Sequence, residues 1–241
     1  MKKILFSSIL LAVYSVYALG QGSREQTTIV NVIEKTTVEK PQCVPGNAFG
    51  LDLGIGAKSL YQYEDYGYYQ EIGFKGIPTF DLGFRFVHHF LPYFGVDFFK
   101  FNNKFSYKNG FEINYVDIDM EYVGYNAQLM TGVRGNSPAF AGCLSAYGAF
   151  RAGYGVNLDF FLGVPNYDDS YYGYYSEKDF TFLGYGFCFE LEVGFNITRN
   201  LFVAYTYNRQ NGTTYNVDYE DEEYSLKVNN HAFRIGFNFG R

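Results

Sequence analysis

From Asn47 to the C-terminus the side chains alternate with a period of two, and this limits the possible folds more than any motif does. A strand turns successive side chains to opposite faces, so such a pattern writes one sheet face in bulky apolar residues and the other in small or polar ones. Phe49, Leu51, Leu53, Ile55 and Ala57 stand opposite Gly50, Asp52, Gly54, Gly56 and Lys58. Phe80, Leu82, Phe84 and Phe86 oppose Asp81, Gly83, Arg85 and Val87, and Phe94, Val96 and Phe98 oppose Gly95 and Asp97. A fourth segment, Tyr115 to Arg134, loses parity near Tyr122 and Val123, which predicts a β-bulge there. The fifth sets Leu144, Ala146, Phe150, Ala152, Tyr154 and Val156 against Ser145, Tyr147, Arg151, Gly153 and Gly155. The sixth alternates without a break, Leu183 to Phe195 against Gly184 to Asn196, with Cys188, Glu190 and Glu192 on the small-residue face. Leu201, Val203, Tyr205 and Tyr207 mark a seventh, and Phe233, Ile235, Phe237 and Phe239, against Arg234, Gly236 and Asn238, an eighth.

The connections alternate as well. Long polar ones at 60–76, 102–114, 164–179 and 209–224 take turns with short ones at His88 to Pro92, Arg134 to Pro138 and Thr198 to Asn200. That rhythm is the one expected of outer-membrane barrels, with short periplasmic turns, longer extracellular loops and both termini on the periplasmic side.

Alternation alone does not say which face is inside. An eight-stranded barrel has an interior just wide enough for side chains to fill, and on the order of forty large apolar residues lie on the bulky face, too many for that space. The bulky face therefore points outward to lipid, and the small, polar face lines a packed lumen. The fold class that follows is all-β, an eight-stranded antiparallel up-and-down transmembrane β-barrel over residues 47–241. Its charged lumen residues are Asp52, Asp81, Arg85, Asp97, Arg151, Glu190, Glu192 and Arg234, a structural network of opposed charges, because an unpaired buried charge is costly. The run Phe98-Phe99-Lys100-Phe101 puts either Lys100 or an aromatic out of phase; Lys100 is assigned to the lipid face at the extracellular rim, where the cost of a charge falls toward zero.

Ahead of the barrel, Lys2 and Lys3, the mostly apolar run Ile4 to Leu19, and Gly20 before Gln21 form the three parts of a signal peptide over residues 1–20. Residues 21–46, polar and β-branched and ending in Pro41, Pro45 and Gly46, read as a flexible periplasmic lead-in. Without Lys2 and Lys3 the remainder carries 17 basic against 25 acidic residues, a formal charge of −8, which argues against a nucleic-acid partner.

Little here suggests chemistry. Three cysteines, Cys43, Cys143 and Cys188, fit no metal-ligand spacing and read as small buried side chains or free thiols. Cys143 and Cys188 share inward parity on adjacent strands, which leaves a cross-strand disulfide open. His88-His89 falls at a predicted turn, with His231 on the same rim, a girdle or turn position rather than a metal site. No catalytic constellation, metal site or cofactor motif is assembled. Phe and Tyr contribute 26 and 25 residues, and two stretches, Tyr61 to Tyr69 and Asp168 to Glu177, concentrate tyrosine with acid in the long connections. Tyr63, Tyr66, Tyr68, Tyr69, Tyr171, Tyr172, Tyr174 and Tyr175 are candidate contact residues, since exposed tyrosines make good binding surfaces. The competing reading makes them strand extensions or the interfacial aromatic belt.

With these features the chain resembles the small outer-membrane β-barrel domain family, which includes the OmpA barrel, OmpX and the porin-family or PorT-like proteins. The resemblance rests on the Gly-rich strand Ala146 to Gly155 and the closing strand Ala232 to Phe239, after which this chain adds Gly240 and Arg241. It implies a protein of the outer membrane of a Gram-negative-type bacterium, with outer-membrane lipid and the barrel-insertion machinery as partners. The first functional expectation is a non-enzymatic barrel with a plugged lumen, envelope-structural or binding a surface ligand through its loops. A component of a secretion or transport assembly, with residues 21–46 meeting a periplasmic partner, is the second. A membrane-embedded lipid-modifying enzyme is the third.

Overall fold

The computed structural model describes residues 47–63, 71–91, 93–113, 116–166, 176–217 and 223–240; the expected signal peptide and lead-in lie outside these. Eight strands follow one another: β1 (Asn47–Tyr63), β2 (Glu71–Leu91), β3 (Phe94–Ile113), β4 (Val116–Asn136), β5 (Ser145–Asn166), β6 (Ser176–Asn196), β7 (Leu201–Asn216) and β8 (Glu223–Phe239). Each pairs antiparallel with its successor, and β8 pairs with β1, so the sheet closes on itself as an up-and-down barrel without an edge.

Closure satisfies the backbone within the sheet, and the outer wall is apolar, with Ile55 and Phe233 each 69% exposed. A closed barrel is the one sheet form that lipid tolerates, because no unpaired N–H or C=O faces hydrocarbon. The eight-stranded, side-chain-filled form is that of the small OmpA- and OmpX-type membrane barrels. Two polar groups on the outward parity are satisfied locally: Tyr125 donates its hydroxyl to Asn103 Oδ1 at 2.6 Å, and Thr131 Oγ1 donates to the Asp97 carbonyl at 2.9 Å.

The strands run from 16 to 22 residues, whereas a membrane crossing takes about 9–11. Much of what reads as long polar loop is strand. The 102–114 stretch belongs almost wholly to β3, and the connections at that end shrink to 64–70, 114–115, 167–175 and 217–222. The reason is a swap of polarity without a change of parity. Along β8, Phe239, Phe237, Ile235 and Phe233 face out in the membrane band, and the next outward positions are His231, Asn229, Lys227 and Ser225. Inward residues swap the other way, from Asn238, Arg234 and Asn230 to Val228 and Leu226. Above the band the barrel is built like a water-soluble one, polar outside and apolar inside.

Two expectations of register are corrected. Alternation runs unbroken through Tyr122 and Val123, with Tyr122 inward and fully buried and β4 paired to β5 without interruption from Glu121 on; the expected irregularity lies just ahead of them, where the β3–β4 register shifts between Ile118 and Glu121. A further bulge, on β3, shifts the register between Asp97 and Lys100. Phe98 and Phe99 both face out, and the extra residue returns Lys100 to the lumen, where it is fully buried, so it does not stand at the lipid rim. His88 and His89 lie within β2, and His231 pairs with Ala57 far from the Asn47 partner of His88, so the histidines do not share a rim. Cys143 is disulfide-bonded while Cys188 is a free buried thiol, so these two do not pair.

Candidate functional site

Among the described residues the lumen is the place where charge, burial and geometry converge, and it is stacked in layers from the turn end, where β1 begins, to the loop end. All eight charged residues expected there face inward and are buried.

At the turn end Arg85 donates from Nη1 to Glu192 Oε1 at 3.1 Å and from Nη2 to Asn238 Oδ1 at 3.0 Å, with its guanidinium 3.9 Å over the Phe202 ring. Arg134 lies 3.6 Å over Tyr147. The glycines opposite are there for room: a Cβ on Gly236 would come within 2.2 Å of the Phe202 ring.

In the central layer Lys100 meets Glu190 at 2.7 Å and Glu192 at 2.8 Å, and Arg151 meets the same two carboxylates at 2.8 and 3.0 Å while its Nε donates to Asp97. Arg234 bridges Asp52 at 2.6 Å and Asp81 at 2.9 Å and donates to Asn102 Oδ1 at 3.0 Å. Asn102 in turn donates to Glu190 Oε2 at 3.0 Å, which ties the two groups into one network. Gly83 lets the Asp52 carboxylate in, since a Cβ there would stand 2.4 Å from Oδ1.

Next come amides, with Asn126 donating to Gln210 and Gln128 donating to Asn208, both at 2.9 Å. Beyond them Lys58 donates to Asp159 Oδ1 at 3.1 Å and lies 4.7 Å over the Tyr122 ring, whose hydroxyl also donates to Asp159. An apolar lid of Leu60, Phe74, Ile77, Met120, Phe161, Leu226 and Val228 closes the loop end over Tyr122.

Sequence reasoning missed Lys58, Lys100, Arg134, Asp159 and Tyr122 as members of the network. The inward parity of Lys58 was in plain sight, whereas Lys100 and Tyr122 each sit at a position where parity was misread. Of the candidate tyrosines, Tyr63 ends β1, and Tyr66, Tyr68, Tyr69, Tyr171, Tyr172, Tyr174 and Tyr175 lie outside the described residues.

Chemically the arrangement holds charges in place. Each lumen carboxylate accepts from a cation, and no three His, Cys, Asp or Glu among the described residues are placed to hold a metal ion.

No family model and no curated protein matches the chain. Among solved structures it is similar to Ail, the attachment invasion locus protein of Yersinia pestis, at 17% identity over 79% of this chain and 98% of that one, with a TM-score of 0.42. It is similar to the outer membrane protein OprG of Pseudomonas aeruginosa at 14% identity over 83% and 99%, with a TM-score of 0.45. The outer membrane protease OmpT of Escherichia coli matches at 10% identity over 82% and 97%, with a TM-score of 0.45.

Proposed function

We propose that this chain is a non-enzymatic outer-membrane barrel with a plugged lumen, serving envelope structure or surface contact. The observation that supports it most is the lumen itself: ion pairs of 2.7 to 3.1 Å cross it and an apolar lid closes it. Opening a water-filled bore would mean breaking several buried pairs at about 3 to 5 kcal/mol each. In this reading residues 1–20 direct export and residues 21–46 serve as a periplasmic lead-in. The Tyr- and acid-rich connections 64–70 and 167–175 leave from the loop end and offer the surface through which a ligand would be met.

Planar-bilayer recording of the purified protein tests the plug. The expected outcome is no sustained conductance; a stable, diffusion-type channel at neutral pH overturns the reading.

A further inference from the structure

Among the described residues, seven buried Lys and Arg side chains share the lumen with six buried Asp and Glu. Five of the seven lie within 3.1 Å of a carboxylate; Lys104 and Arg134 do not. Lys104 has a simple solution, because it pairs in register with Asp81, whose Oδ1 is also unpartnered, and one water can span them.

Arg134 has none. Guanidinium does not give up its proton in proteins. Its Nη1 is 3.9 Å from Glu192 Oε1, an oxygen that already accepts from Arg85 at 3.1 Å and from Arg151 at 3.4 Å. Its Nη2 donates to Asn196 Oδ1 at a long 3.4 Å, and Nε and Nη1 have no hydrogen-bond partner. Asp97, on the neighbouring strand, turns Oδ2 to Arg151, while its Oδ1 has no hydrogen-bond partner and makes no ion pair with Arg134. Three more buried groups at this end lack partners, Arg85 Nε, Asn136 Nδ2 and the Tyr147 hydroxyl, and all can donate. Asn136, Asn196 and Asn238 are the last inward side chains of β4, β6 and β8 at the turn end and are 6–7% exposed, so solvent just reaches this layer.

Buried donors around a guanidinium that has only a ring face and a shared carboxylate 3.9 Å away fit an anion. We propose that the turn end of the lumen binds one small inorganic anion of chloride size, held by Arg134 with Asn136, Arg85 and Tyr147 as further donors. It supplies the missing negative charge, and it enters from the turn side without passing the ion-pair layer.

The test uses the folded protein in detergent. Chloride-35 resonance line width, titrated at constant ionic strength with gluconate as the bulky replacement, is expected to show an excess broadening that bromide displaces. Arg134→Gln should lose that broadening, and its urea unfolding midpoint should no longer rise with chloride as the unsubstituted protein's does, because only a ligand bound to the folded state stabilises it by mass action. An equal chloride response in both proteins overturns the proposal. If Arg134→Gln does not fold, the unsubstituted protein decides alone: no displaceable broadening means that water, not an anion, meets these donors.

Discussion

Lys100 Nζ lies 2.7 Å from Glu190 Oε1 although β3 and β6 are three places apart in the sheet. Such a contact spans the lumen and braces opposite walls. Glu192 is the most heavily shared member of this brace, with Arg85, Lys100, Arg134 and Arg151 all within 3.9 Å. Glu192→Gln is therefore expected to lower the unfolding free energy by about 3 to 5 kcal/mol, because it leaves cations buried and unpaired. Replacing both Lys100 by Met and Glu190 by Gln should cost less than the sum of the single changes. Urea unfolding followed by tyrosine fluorescence reads both, since the chain has no tryptophan.

The β3 bulge makes a sharper prediction. Deleting Phe99 removes the extra residue and leaves Asp97 and Lys100 both inward, so the barrel should fold. Deleting Phe101 leaves Lys100 inward but turns Lys104 to the lipid side, where a Lys or Arg at mid-bilayer costs roughly 2 to 4 kcal/mol, and strips the loop end of its inward register. Gel mobility before and after boiling should show a heat shift for the first variant and none for the second.

These two residues also mark where the sequence was legible. β6 alternates unbroken, so the inward parity of Glu190 and Glu192 could be read directly, and with it the need for cations opposite. Lys100 could not be placed, because a bulge is a backbone event whose trace here is only a doubled phenylalanine. Tyr122 misled for another reason: Met120 and Tyr122 face the apolar lid while Val123 faces out, so the point where polarity inverts along an unbroken alternation reads as a slip of parity. Strand ends were missed because polarity inverts above the membrane while parity persists. A pattern read as apolar-out ends where the apolar-in part begins.

That inverted part behaves as a small soluble core. Leu60 and Phe161 are buried in the lid, and Phe161 packs its ring 5.1 Å from both Phe74 and Tyr122. Leu60→Ala should cost about 2 to 5 kcal/mol and Phe161→Ala about 3 to 5 kcal/mol, as cavity-forming changes in a packed core do. A loss under 1 kcal/mol in urea unfolding for both would show that the lid does not pack.

The limits of the membrane band can be located on a single strand. Ile235 and Asn229 share the outward face of β8, the first half exposed between Phe233 and Phe237 and the second beside Ser59 and Arg209. A lysine at the bilayer midplane loses its hydration, whereas one at the interface keeps it, so Ile235→Lys should cost roughly 2 to 4 kcal/mol and Asn229→Lys about 0 to 1 kcal/mol. Refolding into phospholipid vesicles, with stability measured for each, gives the comparison. Equal costs at the two sites would mean that lipid does not stop where the outward residues turn from Phe233 to His231, and the soluble-type upper barrel would then have to be immersed as well.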